Sequence, residues 1–138
     1  MRDTKRYNLH SAKGATGWSV AIPCEDFRTA VIGLATSGTT TATVKIAGAV
    51  ALVTTAPGAE SAPTFTSAAS ISNPWDYIEA VNLQNGSAVD GDTGHSWAGT
   101  DTVELYEVNV NELDYIAVQV DAWTQGAITA WIVLSDNQ

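Results

Sequence analysis

The sequence predicts an all-β fold: a single-domain antiparallel β-sandwich, jelly-roll-like, with two long loops and an extended N-terminal arm. Three observations carry that prediction. Apolar residues alternate with period two in one segment after another. About seven or eight such segments are separated by clusters of Gly, Pro, Asn or Thr. No window combines a 3.6-residue apolar stripe with a capping signal, so little helix is expected. The chain has 138 residues, of which 45% are hydrophobic and 15% charged, enough for one core and too few for two domains.

In chain order, residues 1–13 form a basic arm and residues 14–138 the sandwich. Arg2, Lys5, Arg6 and Lys13 are four of the six basic residues, while the body keeps only Arg28 and Lys45 against fourteen of the fifteen acids. Copies of so acidic a body repel one another unless the charge is offset. The arm is therefore expected to be disordered in a monomer and to dock on a neighbouring subunit. There Arg2, Lys5 and Arg6 would meet acidic loops, with Tyr7 and Leu9 burying apolar area. No apolar run of seven or more follows these charges, so no secretory signal is read; the chain is expected to start near Met1 and to stay in the bacterial cytoplasm where it is made.

The first strands are Trp18/Val20/Ile22, the run Phe27 to Leu34, and Val44/Ile46. Residues 55–74 form the first long loop, small, polar and punctuated by proline. Tyr77 to Leu83 reads as a strand, and the Gly- and Asp-rich residues 84–101 as the second loop. In 102–110 the apolar register shifts from Val103/Leu105 to Tyr106/Val108/Val110, which predicts a β-bulge near Leu105. Ile116, Val118, Val120 and Ala122 line one strand face; Ile128, Ala130, Ile132 and Leu134 line another. Gln125-Gly126 between them reads as the turn of a C-terminal hairpin.

Residue chemistry speaks against catalysis. His10 and His95 are isolated, and neither sits in a zinc or nucleophile motif. Cys24 stands alone and reads as a small buried hydrophobe. Asp90-Gly91-Asp92-Thr93-Gly94 places two carboxylates as a calcium loop would, but the spacing of the remaining ligands fails. Glu104, Glu107 and Glu112, with Asp101 and Asp114, alternate with apolar residues as a solvated strand face does. No metal, cofactor or enzymatic activity is expected. The net charge of −9 disfavours nucleic acid and anionic membranes as partners.

The five tryptophans point to binding. Trp18 shares a register with Val20 and Ile22 and is expected in the core. Trp131 lies opposite the main apolar register and Trp97 lies in a loop, so both are expected to need covering by a partner.

The stretches Asn73-Pro74-Trp75-Asp76-Tyr77-Ile78, Asn82-Leu83-Gln84-Asn85-Gly86-Ser87, Asp90-Gly91-Asp92-Thr93-Gly94, Tyr106-Glu107-Val108-Asn109 and Leu113-Asp114-Tyr115-Ile116-Ala117-Val118 resemble small structural proteins of tailed bacteriophages, of the capsid decoration (cement) type. The resemblance covers a little under half the chain and carries no catalytic residue. It implies a sandwich that assembles as a homo-oligomer, often a trimer, on the major capsid protein, and so a place in the virion. The interface residues expected are Arg2, Lys5, Arg6, Tyr7, Leu9, Trp97 and Trp131. The rival expectation is a carbohydrate-binding or host-adhesion module of a tail or fibre, using Trp97 and Trp123.

Overall fold

A computed structural model describes residues 3–53, 60–99 and 102–136. Twelve strands and no helix occur among them: β1 (Thr4–Lys13), β2 (Gly17–Trp18), β3 (Ile22–Pro23), β4 (Thr29–Ala49), β5 (Leu52–Val53), β6 (Glu60–Ser61), β7 (Trp75–Tyr77), β8 (Ala80–Asn82), β9 (Ala88–Val89), β10 (His95–Gly99), β11 (Val103–Asn109) and β12 (Tyr115–Ser135). Ten belong to one antiparallel sheet in the order β1-β12-β4-β11-β8-β9, with β2 and β3 on a second stretch of β12 and β7 and β10 on a second stretch of β4. β5 and β6 form a separate pair.

The two long strands explain the architecture. β4 and β12 each have 21 residues, and a straight strand of that length spans ~70 Å, roughly twice the width of a compact domain of this size. Both therefore bend. The bend in β4 falls at the exposed residues Ser37–Thr39, where Gly38 has φ 73°. The bend in β12 falls among three register shifts between Val120 and Ala127, where Gly126 has φ 90°. Positive φ suits glycine, which has no Cβ to clash with the backbone.

Bending folds the sheet over one core. Ala30, Ile32 and Leu34 before the bend of β4, and Ala42, Val44 and Ile46 after it, lie in the same buried cluster. So do Ile116, Val118 and Val120 with Ile128, Ala130, Ile132 and Leu134 of β12. The even-numbered faces of both halves thus pack against each other, as the facing layers of a sandwich do. The all-β, single-domain expectation holds, with both layers drawn from one continuous sheet.

Several expected elements take a different form. The C-terminal hairpin is one bent strand, because Gly126 supplies a bulge and not a reversal. The runs at Phe27 to Leu34 and Val44/Ile46 belong to β4 alike, apart from Phe27 and Arg28, which precede it. No bulge occurs near Leu105: β11 pairs with β4 in unbroken register from Val103↔Ala35 to Asn109↔Thr29. Val103 and Leu105 simply face outward, 67% and 42% exposed. Residues 84–101, expected as a loop, contain β9 and β10. Of the first loop, residues 54–59 lie outside the described residues. Its remainder is held by Asn73, whose Nδ2 donates to the carbonyls of Thr64, Ser67 and Ala68.

The N-terminal segment is extended, as expected, but it lies on its own chain. β1 pairs with the second half of β12 from Thr4↔Ser135 to Lys13↔Ile128. Leu9 and His10 are buried there, which anchors the strand as charge alone would not.

Trp18 is not in the main core. Val20 is 67% exposed, while Trp18 packs outside the sheet on Phe65, Trp75 and Tyr77. Ala47, Ala49 and Ala117 form the floor of this second cluster. Their small side chains let the rings approach the strands closely.

Candidate binding surfaces

Three surfaces or clusters gather the residues that composition and pattern singled out. The first is the outer face of the sheet half that contains β1. One transverse row runs Arg6, Val133, Val31, Glu107 across β1, β12, β4 and β11. The next row holds Asn8, Trp131, Gly33 and Leu105. Trp131 is half-buried because its indole lies over Gly33, where a Cβ would fall inside the ring. With Leu105 and Val103 exposed beside it, this is an apolar stripe with Arg6 at one edge and Glu107 at the other.

The second is a groove at the bend. Trp97 of β10 and Trp123 of β12 both pair with Ala42 of β4, so a small residue separates two indoles in one row. Trp97 is 7% exposed and Trp123 36%. Trp97 is therefore a strand residue sunk toward the core and not a loop residue awaiting a cover.

The third is a polar cluster that pattern reading missed. Tyr106 donates its hydroxyl hydrogen to Glu104 Oε2 at 2.5 Å and lies 2.6 Å from His95 Nδ1. His95 Nε2 is 2.7 Å from the same carboxylate oxygen, without the alignment of a hydrogen bond. β10 and β11 pair with different halves of β4, so this cluster ties the two layers together. Glu104, expected on a solvated face, is half-buried within it. Burial raises the Tyr106 pKa, helped by the hydrogen bond to Glu104, and lowers that of His95 against the pull of Glu104. The adjoining cavity, lined in part by Leu34, Val44, His95 and Tyr106, measures about 10 Å³, which is room for about one water.

His10 makes a second tie between layers: its Nε2 lies 2.9 Å from the carbonyl of Val118. The only sequence signal for either tie was a histidine amid residues of another character. Cys24 is fully buried and accepts no charge, since burial and nearby Asp114 push its thiol up to about 12. Asp90 Oδ1 accepts the N–H groups of Asp92 and Thr93, so that carboxylate holds its own turn. No group of three His, Cys, Asp or Glu side chains is placed to hold a metal among the described residues.

Of the expected interface residues, Arg6 and Trp131 share the outer face, whereas Leu9 and Trp97 are buried. Lys5 and Tyr7 border a small recess with Pro23, Glu25 and Phe27. Arg2 lies outside the described residues.

The geometry defines a single-domain all-β protein whose one sheet wraps a shared core. That fold is similar to two solved structures of phage origin. The SPBc2 prophage-derived protein YomS matches with a TM-score of 0.63 and 15% identity over 98% of this chain and 95% of its own. The PBSX exported protein XepA matches with a TM-score of 0.64 and 14% identity over 97% of this chain but only 38% of its own. No protein-family profile and no curated protein sequence matches the chain.

Proposed function

We propose that the chain is a structural protein of a tailed-phage virion, a decoration protein that binds the major capsid protein and stabilises the head shell, with copies associating on the lattice. The observation that carries this reading is the end-to-end likeness in fold to a prophage-derived protein of similar length. The outer face of Val133, Val31, Trp131 and Leu105 supports it. An apolar centre with charged edges is the anatomy of a protein–protein contact, and aromatic residues concentrate binding energy at such centres.

The test is sedimentation of purified protein with expanded, undecorated capsids. Wild type is expected in the pellet and should raise the heat resistance of the shells. Leu105→Glu, at an exposed site on the stripe, is expected to weaken binding at least tenfold while the fold survives. Absence of the wild-type protein from the pellet would reject the head-shell role. It would favour a part played away from the head, in keeping with the exported character of the PBSX protein.

A further inference from the structure

We propose that the outer face around Trp131 pairs with the same face of a second copy of this chain, across a two-fold axis that runs along the strands between β12 and β4. The inference rests on the reading of this face as a protein–protein contact and assigns that contact to the association of copies. Charge carries the argument. Arg6, Val133, Val31 and Glu107 form one row across β1, β12, β4 and β11, with the cation and the anion on the outer two of these strands and two valines between them. Their chain neighbours Ile32, Tyr106, Val108 and Ile132 are buried in the core, so period two turns this row outward. Both charged side chains are exposed, and neither takes part in an ion pair among the described residues. The rows on either side, Thr4 to Asn109 and Asn8 to Leu105, carry no charged side chain.

A half-turn about an axis parallel to the strands reverses their order, so β1 of one protomer lies over β11 of its partner and β12 lies over β4. Arg6 then meets the partner's Glu107, Glu107 meets the partner's Arg6, and Val133 meets the partner's Val31. A half-turn about an axis across the strands would instead set Arg6 on the partner's Arg6 and Glu107 on the partner's Glu107. Facing like charges are unfavourable, so the charge pattern selects the first arrangement. That arrangement is isologous, as a two-fold dimer contact must be, and it brings the two faces together in the aligned packing of sheets. Trp131 fits the same axis. Its indole reaches from β12 over Gly33 of β4, so it spans the midline, and the two symmetry-related rings cover each other at the centre, where aromatic side chains contribute most. A chain of net charge −9 repels its own copies, but the three rows together carry no net charge and add nothing to that repulsion.

Four strands ~4.8 Å apart and the seven residues of β11 frame roughly 400–500 Å², less than the ~800 Å² per partner of a standard interface. The free dimer is therefore expected to be weak, with a Kd of about 0.1 mM. The experiment is sedimentation equilibrium of the full chain without capsids, up to about 1 mM, ten times that Kd. Wild type is expected to be mostly dimeric there. Arg6→Glu and Glu107→Arg should each weaken pairing at least tenfold, because each sets two pairs of like charges face to face. Both changes in one chain should restore pairing. So should a one-to-one mixture of the two single variants, in which every facing pair is again opposite in sign. Asp76→Arg, an exposed site on β7 against the other half of β4, makes the same change in net charge as Glu107→Arg and should leave the Kd within about twofold. Circular dichroism checks that each variant is folded. Wild type that stays monomeric at about 1 mM would overturn the proposal. So would single variants that pair as tightly as wild type, or a mixture that does not recover. Capsid sedimentation is read separately: a monomer that still pellets with shells rejects this inference alone, and a dimer that stays in the supernatant rejects the head-shell role alone.

Discussion

Gly126→Val is expected to destabilise the protein by about 3–5 kcal/mol, a large part of the ~5–15 kcal/mol that holds a domain folded. Two costs combine. Gly126 has φ 90°, a backbone conformation that costs a β-branched residue ~1–3 kcal/mol. A Cβ there would also fall onto Thr40 Oγ1 and within 2.7 Å of Thr40 Cα. Thr40 is fully buried and cannot swing away, so overpacking adds another ~1–3 kcal/mol. Gly86→Val is the control: φ is 74°, but nothing lies within 4 Å of its Cβ position, so only the backbone cost of ~1–3 kcal/mol applies. Urea unfolding of both variants measures the difference. Equal losses at the two sites would mean that close packing of the two bends contributes nothing.

Acidification from pH 7.5 to 5.5 should lower stability by about 1–2 kcal/mol, with a limiting slope of ~1.4 kcal/mol per pH unit for each histidine involved. His10 and His95 both have pKa values lowered by burial. The unfolded chain takes up protons near pH 6.5, while the folded chain resists them. Stability from these groups is complete above the unfolded pKa and falls as pH drops toward the folded values. The Val118 carbonyl bond opposes the shift of His10 and nearby Lys13 reinforces it; Glu104 opposes that of His95. Ordinary carboxylates titrate below this window. His10→Gln keeps a donor for the Val118 carbonyl and loses the titration, so its pH slope should be visibly shallower in thermal melts. A melting temperature that rises on acidification, or an unchanged slope in His10→Gln, would contradict the burial of these rings.

Much of the core was legible because burial on one sheet face imposes period two. Ile32, Leu34, Val44, Ile116, Val118, Val120, Ile128 and Ile132 were all assigned to strands, and all are buried in the common cluster. The joins between strands were not legible. Gly38 and Gly126 carry the local signature of chain reversal, and only tertiary pairing turns each into a bend within a strand. One clue was available: the large apolar residues of the main cluster stay even-numbered on both sides of Gly38 in β4 and on both sides of Gly126 in β12. Trp97 was obscured by its Gly-rich surroundings, although strand pairing with the buried Ala42 turns it toward the core. The ties at His10 and His95 depend on partners 108 and 11 residues away in sequence, a separation that no local pattern encodes.

The proposed role is that of a phage-particle component acting through surface contacts. Its most direct test is quantitative mass spectrometry of density-purified particles from cells that produce the chain, with copy number taken relative to the major capsid protein. The account predicts a fixed, stoichiometric ratio that persists through repeated banding and falls when Leu105→Glu replaces the wild type. Recovery of the chain only in the particle-free supernatant, at no fixed ratio to capsid protein, would contradict it.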